Sequence, residues 1–293
     1  MRLATLSVDG SATPCVRRAD RYYPIAALAP DAPRDMVRLL GGGAQVRLTL
    51  EAALAGARPS AGINAADAIY LPPIPNPGKI ICLGLNYRDH ADESGFSAPD
   101  YPAIFLRTAT SLVAHRADLV RPLVSEQFDY EVELAVIIGE TVRNATAAAA
   151  LPAVAGYSVF NDASVRDYQL RTGQWTIGKN FDGTGGFGPH LVTDDEVPPG
   201  AAGLRITSRL NGQVVQDANT SSMIFDVATT IAIVSECMTL EPGDVILMGT
   251  PSGVGLARTP QLWMRPGDVC ECEIEAVGLL RNGISQQQRA VAA

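Results

Sequence analysis

The clearest pattern of apolar and polar positions in the chain is the run FDYEVELAVIIG, Phe128 to Gly139. Side chains alternate across a strand, so Tyr130, Val132, Leu134 and Val136 share one face while Glu131, Glu133, Ala135 and Ile137 share the other. The second face opens with two carboxylates side by side and then turns apolar, as a surface running inward would. Two anions desolvated together repel, so one must take up a proton unless a cation sits between them. An exposed strand end with two solvated glutamates is the alternative.

Short β-rich runs separated by turn residues dominate from KIICLGLN onward: AIFLR, GYSVF, LRITSRLNGQVV, DVILMGT and DVCECEIEAVG. Helical periods appear in DASVRDYQLR and SMIFDVATTIAIVSECM. Earlier, MRLATLSVDG and QVRLTLEAALAG read as alternating pieces and APRDMVRLLGG as a helix stopped by glycines. Between the two regions lies LPPIPNPGK, where four prolines in nine residues remove ladder donors and fix the backbone. The expected organisation is a small N-terminal α+β domain over residues 1–72, a proline-rich linker over 73–79, a main domain over 80–284 and a flexible tail over 285–293. The expected fold class is α+β, predominantly β.

At 293 residues the chain can bury a substantial core, and 47% hydrophobic with 18% charged residues excludes a largely disordered protein. No apolar run approaches the roughly 18 residues of a spanning helix, and the N-terminus reaches Asp9 and Gly10 before a secretory core could form. The cytoplasm is the default compartment. A net charge of -8 argues against nucleic acid or an anionic membrane as partner. The five cysteines form no zinc-like pair and read as reduced core residues. A formal G-x-G-x-x-G at Gly183, Gly185 and Gly188 runs into Pro189 with no amphipathic helix after it, so it does not read as a nucleotide site.

Basic residues here are nearly all arginine: of 23, only Lys79 and Lys179 are lysine. A lysine in such a background offers what arginine cannot, a compact ammonium whose pKa shifts on burial. His90 and Glu93 stand three residues apart, so on a helical turn they share a face and the carboxylate can orient the imidazole. The polar stretch RDHADESG and the following FSAPDYP read as a mobile lid. Asp162, taken alone, fits a helix N-cap ahead of ASVRDYQ.

The order and spacing of NYRDHADE, DYEVELAVIIG, FNDASVRDYQ, WTIGKNFDGTGGFGP, GTPSGVG and PGDVCECEIEAVGLLRNGI resemble the fumarylacetoacetate hydrolase family over about residues 78–284. The resemblance implies a mixed β-sandwich roll with a small N-terminal domain. It also implies a divalent cation, Mg2+ or Mn2+ and in some members Ca2+, held by Glu131, Glu133 and Asp162; hard carboxylate oxygens suit such ions. Lys179 corresponds to the family's active-site lysine, and His90 with Glu93 to its water-activating pair. Tyr87, Arg166, Gln169 and Thr250 match substrate-contact positions. Arg107 falls where many members have lysine, a departure expected to bear on the acidic substrate accepted. His115 and His190 match no family role and are expected in surface or loop packing.

The implied activity is hydrolysis of a carbon-carbon bond in acylpyruvate-like 2,4-dioxo acids, giving pyruvate or a related 2-oxo acid and a carboxylic acid, with a homodimer as the family's usual assembly. Oxaloacetate decarboxylase, or a tautomerase or hydratase of 2-oxo acids, is the alternative on the same site. A non-catalytic metal-dependent binding module fits less well, since it needs neither Lys179 nor the His90 and Glu93 pair.

Overall fold

A computed structural model describes residues 1–93 and 99–289 and places Val132–Ile138 in an eleven-stranded sheet. Across it run Ile63–Asn64, Arg21–Pro24, Ser11–Arg18, Arg2–Val8, Gly185–Thr193, Val154–Asn161, Val132–Ile138, Val245–Leu247, Ile80–Gly84 and Ala103–Arg107. Leu112–Ala114 pairs in parallel with Gly185–Thr193. The N-terminal strands continue this sheet through an antiparallel ladder that sets Arg2 opposite Val192 and Leu3 opposite Leu191. A five-stranded sheet of Gln213–Asn219, Arg205–Leu210, Val269–Ile274, Gly278–Gln286 and Leu119–Arg121 packs against the middle of the larger one. The fold is α+β and mostly sheet.

The alternation in Val132–Ile138 explains this stacking. Tyr130, Val132, Leu134 and Val136 join Ile206, Cys270, Cys272, Ile274 and Leu280 in one core, completed by the helix Val227–Cys237 that Asp226 caps at Thr229 N. Ala135 and Ile137 face a second core with Val245, Leu247, Ile80, Cys82, Phe160 and Phe187. The strand is buried on both faces, so Glu131 and Glu133 lie at 3% and 1% exposure rather than at a solvated end.

Four expectations need correction. QVRLTLEAALAG lies in the helix Gly43–Ala55, not a strand. Its apolar alternation coincides with the helical spacing of Val46, Leu50 and Leu54, which pack inward while Leu48 is exposed, and alanine and leucine favour helix where no turn residue intervenes. Cys237 is exposed at the end of the Val227–Cys237 helix, whereas the other four cysteines are buried. The last strand runs through Gln286, so the segment expected as a tail begins in a ladder with Leu119–Arg121; residues 290–293 lie outside the described ones. The expected lid likewise falls partly on residues 94–98, outside the described residues.

His190 is the fourth. It sits at 2% exposure in Gly185–Thr193, with Nε2 facing the Val277 carbonyl at 3.1 Å and Nδ1 facing the Tyr22 hydroxyl at 3.2 Å. Burial, helped by Arg2 and Arg17, lowers its pKa to about 3. An imidazole held neutral in the fold but free to ionise when unfolded lets the unfolded state bind more protons below pH 6.5. Its contribution to stability should therefore fall, as pH drops from about 6.5 toward 3, by up to about 1.4 kcal/mol per unit. Urea unfolding of wild type and His190→Gln between pH 7 and 4 measures this. The wild type should show the steeper loss, and parallel slopes would contradict a neutral buried His190.

Candidate metal centre and active site

The site forms where the carboxylate end of Val132–Ile138 meets three other pieces of chain. Glu131, Glu133 and Asp162 offer oxygens that all lie within 4.8 Å of one another, and all three residues are buried. Asp162 arrives because its backbone N–H donates to the Glu131 carbonyl at 2.8 Å, closing the turn after Val154–Asn161. It caps no helix: the next helix, Arg166–Gln169, has Val165 at its N-cap and no side-chain cap bond. The Asp162 carboxylate instead accepts from Lys179 Nζ at 2.6 Å and Arg107 Nη1 at 2.5 Å.

Lys179, at the end of the helix Thr176–Lys179, also donates to Glu131 Oε2 at 2.5 Å and to the Asp162 carbonyl at 3.2 Å, and lies 5.3 Å from the centre of the Phe105 ring. Arg166 pairs through Nε with Asp129 Oδ2 at 2.8 Å and through Nη1 with Gln169 Oε1 at 2.8 Å. Its Nη2 stands 2.6 Å from Glu131 Oε1, an ion pair too bent to be a hydrogen bond. Asp129 further accepts from Gly255 N and Leu256 N, which ties Arg166 to the GTPSGVG loop. In that loop Gly249 N donates to Glu133 Oε2 at 2.9 Å. Gly249 has φ +82°, and a Cβ there would come within 2.9 Å of Asn86 Cβ, so the carboxylate contact depends on glycine.

Four buried carboxylates, Asp129, Glu131, Glu133 and Asp162, thus face three buried cations, Arg107, Arg166 and Lys179. The surplus negative charge shows in the directions in which these groups shift. Burial pushes the Glu131 carboxyl up, but Arg166, Lys179 and His90 together outweigh it and hold the pKa at about 2. Glu133 goes the other way: burial, then Asp162 and Glu131, raise it well above the carboxylate range. Burial lowers the Lys179 ammonium, and Asp162 and Glu131 more than restore it.

The donor set fits a hard divalent cation. Among the described residues Glu133 Oε1 has no protein donor, and the Tyr87 hydroxyl, its pKa raised by burial and by the Glu133 charge, is buried without a partner. An ionised carboxylate has about four acceptor positions, so Glu131 and Asp162 can serve a cation beside their protein partners. A divalent ion would reverse the surplus charge, and one substrate carboxylate would bring the group to neutrality. Glu133→Ala should weaken magnesium or manganese binding by more than the roughly 10- to 100-fold typical of losing an outer-shell partner. Calorimetric titration of metal-free protein checks this; equal binding by wild type and variant would remove the assignment.

Above the carboxylates lies a cavity of about 380 Å³ whose lining includes His90, Glu93, Glu131, Glu133, Arg166, Gln169, Lys179 and Thr250. His90 Nδ1 is 2.9 Å from Glu93 Oε1 within the helix Arg88–Glu93, and Glu93 also accepts from Gly253 N at 2.9 Å. Asn86 holds the preceding turn by bonds to Phe225 and Met248. Thr250 Oγ1 accepts from Gln216 Nε2 at 2.8 Å. Asp162 is fully buried and Tyr87 is nearly so, and neither lines the cavity. Arg107 is also absent from the lining: its guanidinium spends itself on Asp162, Thr184 and Ser111, so its departure from lysine bears on Asp162 and not on an acidic substrate. Sequence reasoning missed Asp129, Gly249 and Gln216. The FDYE stretch held a signal for Asp129, an acid just ahead of the paired glutamates.

A buried carboxylate trio beside one lysine, with a histidine and glutamate pair over a small cavity, defines a site whose donor set suits a divalent cation. The sequence matches the fumarylacetoacetate (FAA) hydrolase C-terminal family over residues 79–285, and the chain belongs to that family. It is 40% identical over 256 residues to rat mitochondrial oxaloacetate tautomerase Fahd2a, covering 87% of this chain and 81% of that one. Among solved structures it resembles fumarylacetoacetate hydrolase from psychrophilic Exiguobacterium antarcticum, with TM-score 0.84 and 32% identity over 98% of this chain and 100% of that one. It also resembles maleylpyruvate hydrolase from Sphingobium sp. SYK-6, solved with manganese(II) and pyruvate, with TM-score 0.83, 30% identity and the same coverage. Among the described residues no helix is long and apolar enough to cross a membrane.

Proposed function

We propose that the protein is a divalent-cation-dependent hydrolase of acylpyruvate-like 2,4-dioxo acids. The observation that carries this reading is the His90 and Glu93 pair, hydrogen bonded at 2.9 Å, in the same cavity as Glu131, Glu133 and Lys179. A bound magnesium or manganese ion would supply Lewis acidity and a template for the substrate carboxylate and 2-oxo oxygen. Glu131, Glu133 and Asp162 would hold it.

The chain's own groups account for the rest. Glu93, fixed by Gly253 N, orients the His90 imidazole and supports its positive charge. His90 takes a proton from water as the oxygen adds to the distal carbonyl. The bond between that carbonyl carbon and the adjacent methylene then breaks, leaving a carboxylic acid and the enolate of pyruvate. Lys179 places its charge beside the enolate, and the proton held by His90 returns to the methylene carbon. The manganese and pyruvate of the Sphingobium enzyme support the same chemistry.

A second reading, oxaloacetate keto-enol tautomerisation, is favoured by the 40% identity to the rat enzyme. It needs proton transfer at the same carbon but no water. Purified protein with magnesium or manganese, given acetylpyruvate and, separately, enol-oxaloacetate, separates the two. The proposal expects pyruvate and acetate from the first. Accelerated loss of the oxaloacetate enol without any acetylpyruvate cleavage would establish the second reading instead.

A further inference from the structure

The cavity is lined by charged groups and by a set of apolar side chains, and this lining bears on which acyl group the site accepts. We infer that the site selects 2,4-dioxo acids with an apolar acyl group and disfavours those with a second carboxylate, Phe105 and Trp175 setting the preference. The inference rests on the hydrolase reading for its substrates.

The basic residues that line the cavity are Arg166, Lys179 and His90. Each is committed to the protein. An ammonium has three donors, and those of Lys179 meet Glu131 Oε2, Asp162 Oδ2 and the Asp162 carbonyl. Arg166 bonds to Asp129 and Gln169 and is ion paired, without a hydrogen bond, to Glu131, and His90 is paired with Glu93. Residues 94–98, SGFSA, contain no basic residue. Among the described residues each of these lining groups already has a carboxylate partner, so a carboxylate at the far end of a substrate would have to compete for one.

The wall has the opposite character. Leu83, Phe105, Leu170, Trp175, Val254 and Leu256 line it. The Phe105 and Trp175 rings pack edge to face, centroids 5.7 Å apart at 69°. Trp175 sits directly on Gly84, where an added Cβ would come within 2.0 Å of its ring, so the backbone itself is cut away to seat the indole. An acyl chain against such a wall gains from each methylene removed from water, while a carboxylate there loses its hydration and meets only cations already paired with protein carboxylates.

The test has two arms on magnesium-loaded enzyme. In the first, kcat/KM is measured for acetyl-, propionyl-, butyryl- and succinylpyruvate. It should rise about three- to fourfold per added methylene, and succinylpyruvate should fall at least roughly tenfold below butyrylpyruvate. Trp175→Ala should flatten the rise. Leu170→Arg, at a residue 59% exposed, adds a cation at the mouth without disturbing the core and should raise succinylpyruvate relative to butyrylpyruvate. The second arm needs no turnover: calorimetry compares 2-oxohexanoate with 2-oxoadipate as ligands, the monoacid binding more tightly. If no acylpyruvate is cleaved yet the monoacid binds better, the hydrolase reading fails and the wall preference stands. Equal or tighter binding of the diacid, no binding of either, or succinylpyruvate matching butyrylpyruvate would overturn the inference.

Discussion

His90→Ala should lower acylpyruvate cleavage by roughly 10²- to 10⁴-fold, the loss typical of a removed general base. Hydrolysis needs a group to take a proton from water, and His90 is the imidazole in the cavity, oriented by Glu93, which is itself anchored to Gly253 N. Any decarboxylation of oxaloacetate on the same site should fall far less, because it needs alignment and enolate stabilisation but no base. Glu93→Gln should follow the same pattern more mildly, since it keeps a hydrogen-bonding oxygen but removes the charge that supports imidazolium. Steady-state rates on both substrates at saturating magnesium decide the matter. If both activities collapse together, His90 acts in binding and the water-activating role is lost.

Lys179→Arg should cost turnover on the order of 10²-fold or more while cation binding survives, the size expected when a preorganised charge opposite a developing oxyanion is misplaced. Lys179 is 1% exposed, its ammonium wedged between Glu131 and Asp162 with the Phe105 ring beside it. A guanidinium keeps the charge but is planar, larger and built for forked contacts. Arg107 and Arg166 already occupy the remaining oxygens of Asp162 and Glu131, so a third fork has no free partner. Turnover measured beside calorimetric magnesium binding separates the two effects. Activity within about twofold of wild type would show that Lys179 makes no contact in the transition state.

Much of this site was legible because its chemistry is written as local pattern. Period-two alternation placed Glu131 and Glu133 on one face, and the scarcity of lysine marked Lys179. A spacing of three placed His90 beside Glu93. Family spacing added Asp162, which by itself resembled a cap. What could not be read locally is the set of partners that long-range packing supplies. Arg107 reaches Asp162 from 55 residues away, and Gly249 N reaches Glu133 from 116. The same limit explains QVRLTLEAALAG, where apolar spacing satisfies both a strand and a helix and only packing against Met36, Leu39 and Leu40 decides. His190 had no motif to mark it, and its burial follows from the N-terminal strands adding to the central sheet beside Gly185–Thr193.

The most direct measurement is turnover of acetylpyruvate by the wild-type protein as purified, after chelation, and after magnesium or manganese is returned. Pyruvate and acetate are quantified separately from loss of the enol absorbance. The account predicts pyruvate and acetate in equal amounts, abolished by chelation and restored by either ion. Enol loss without pyruvate release, or cleavage indifferent to chelation, would contradict it.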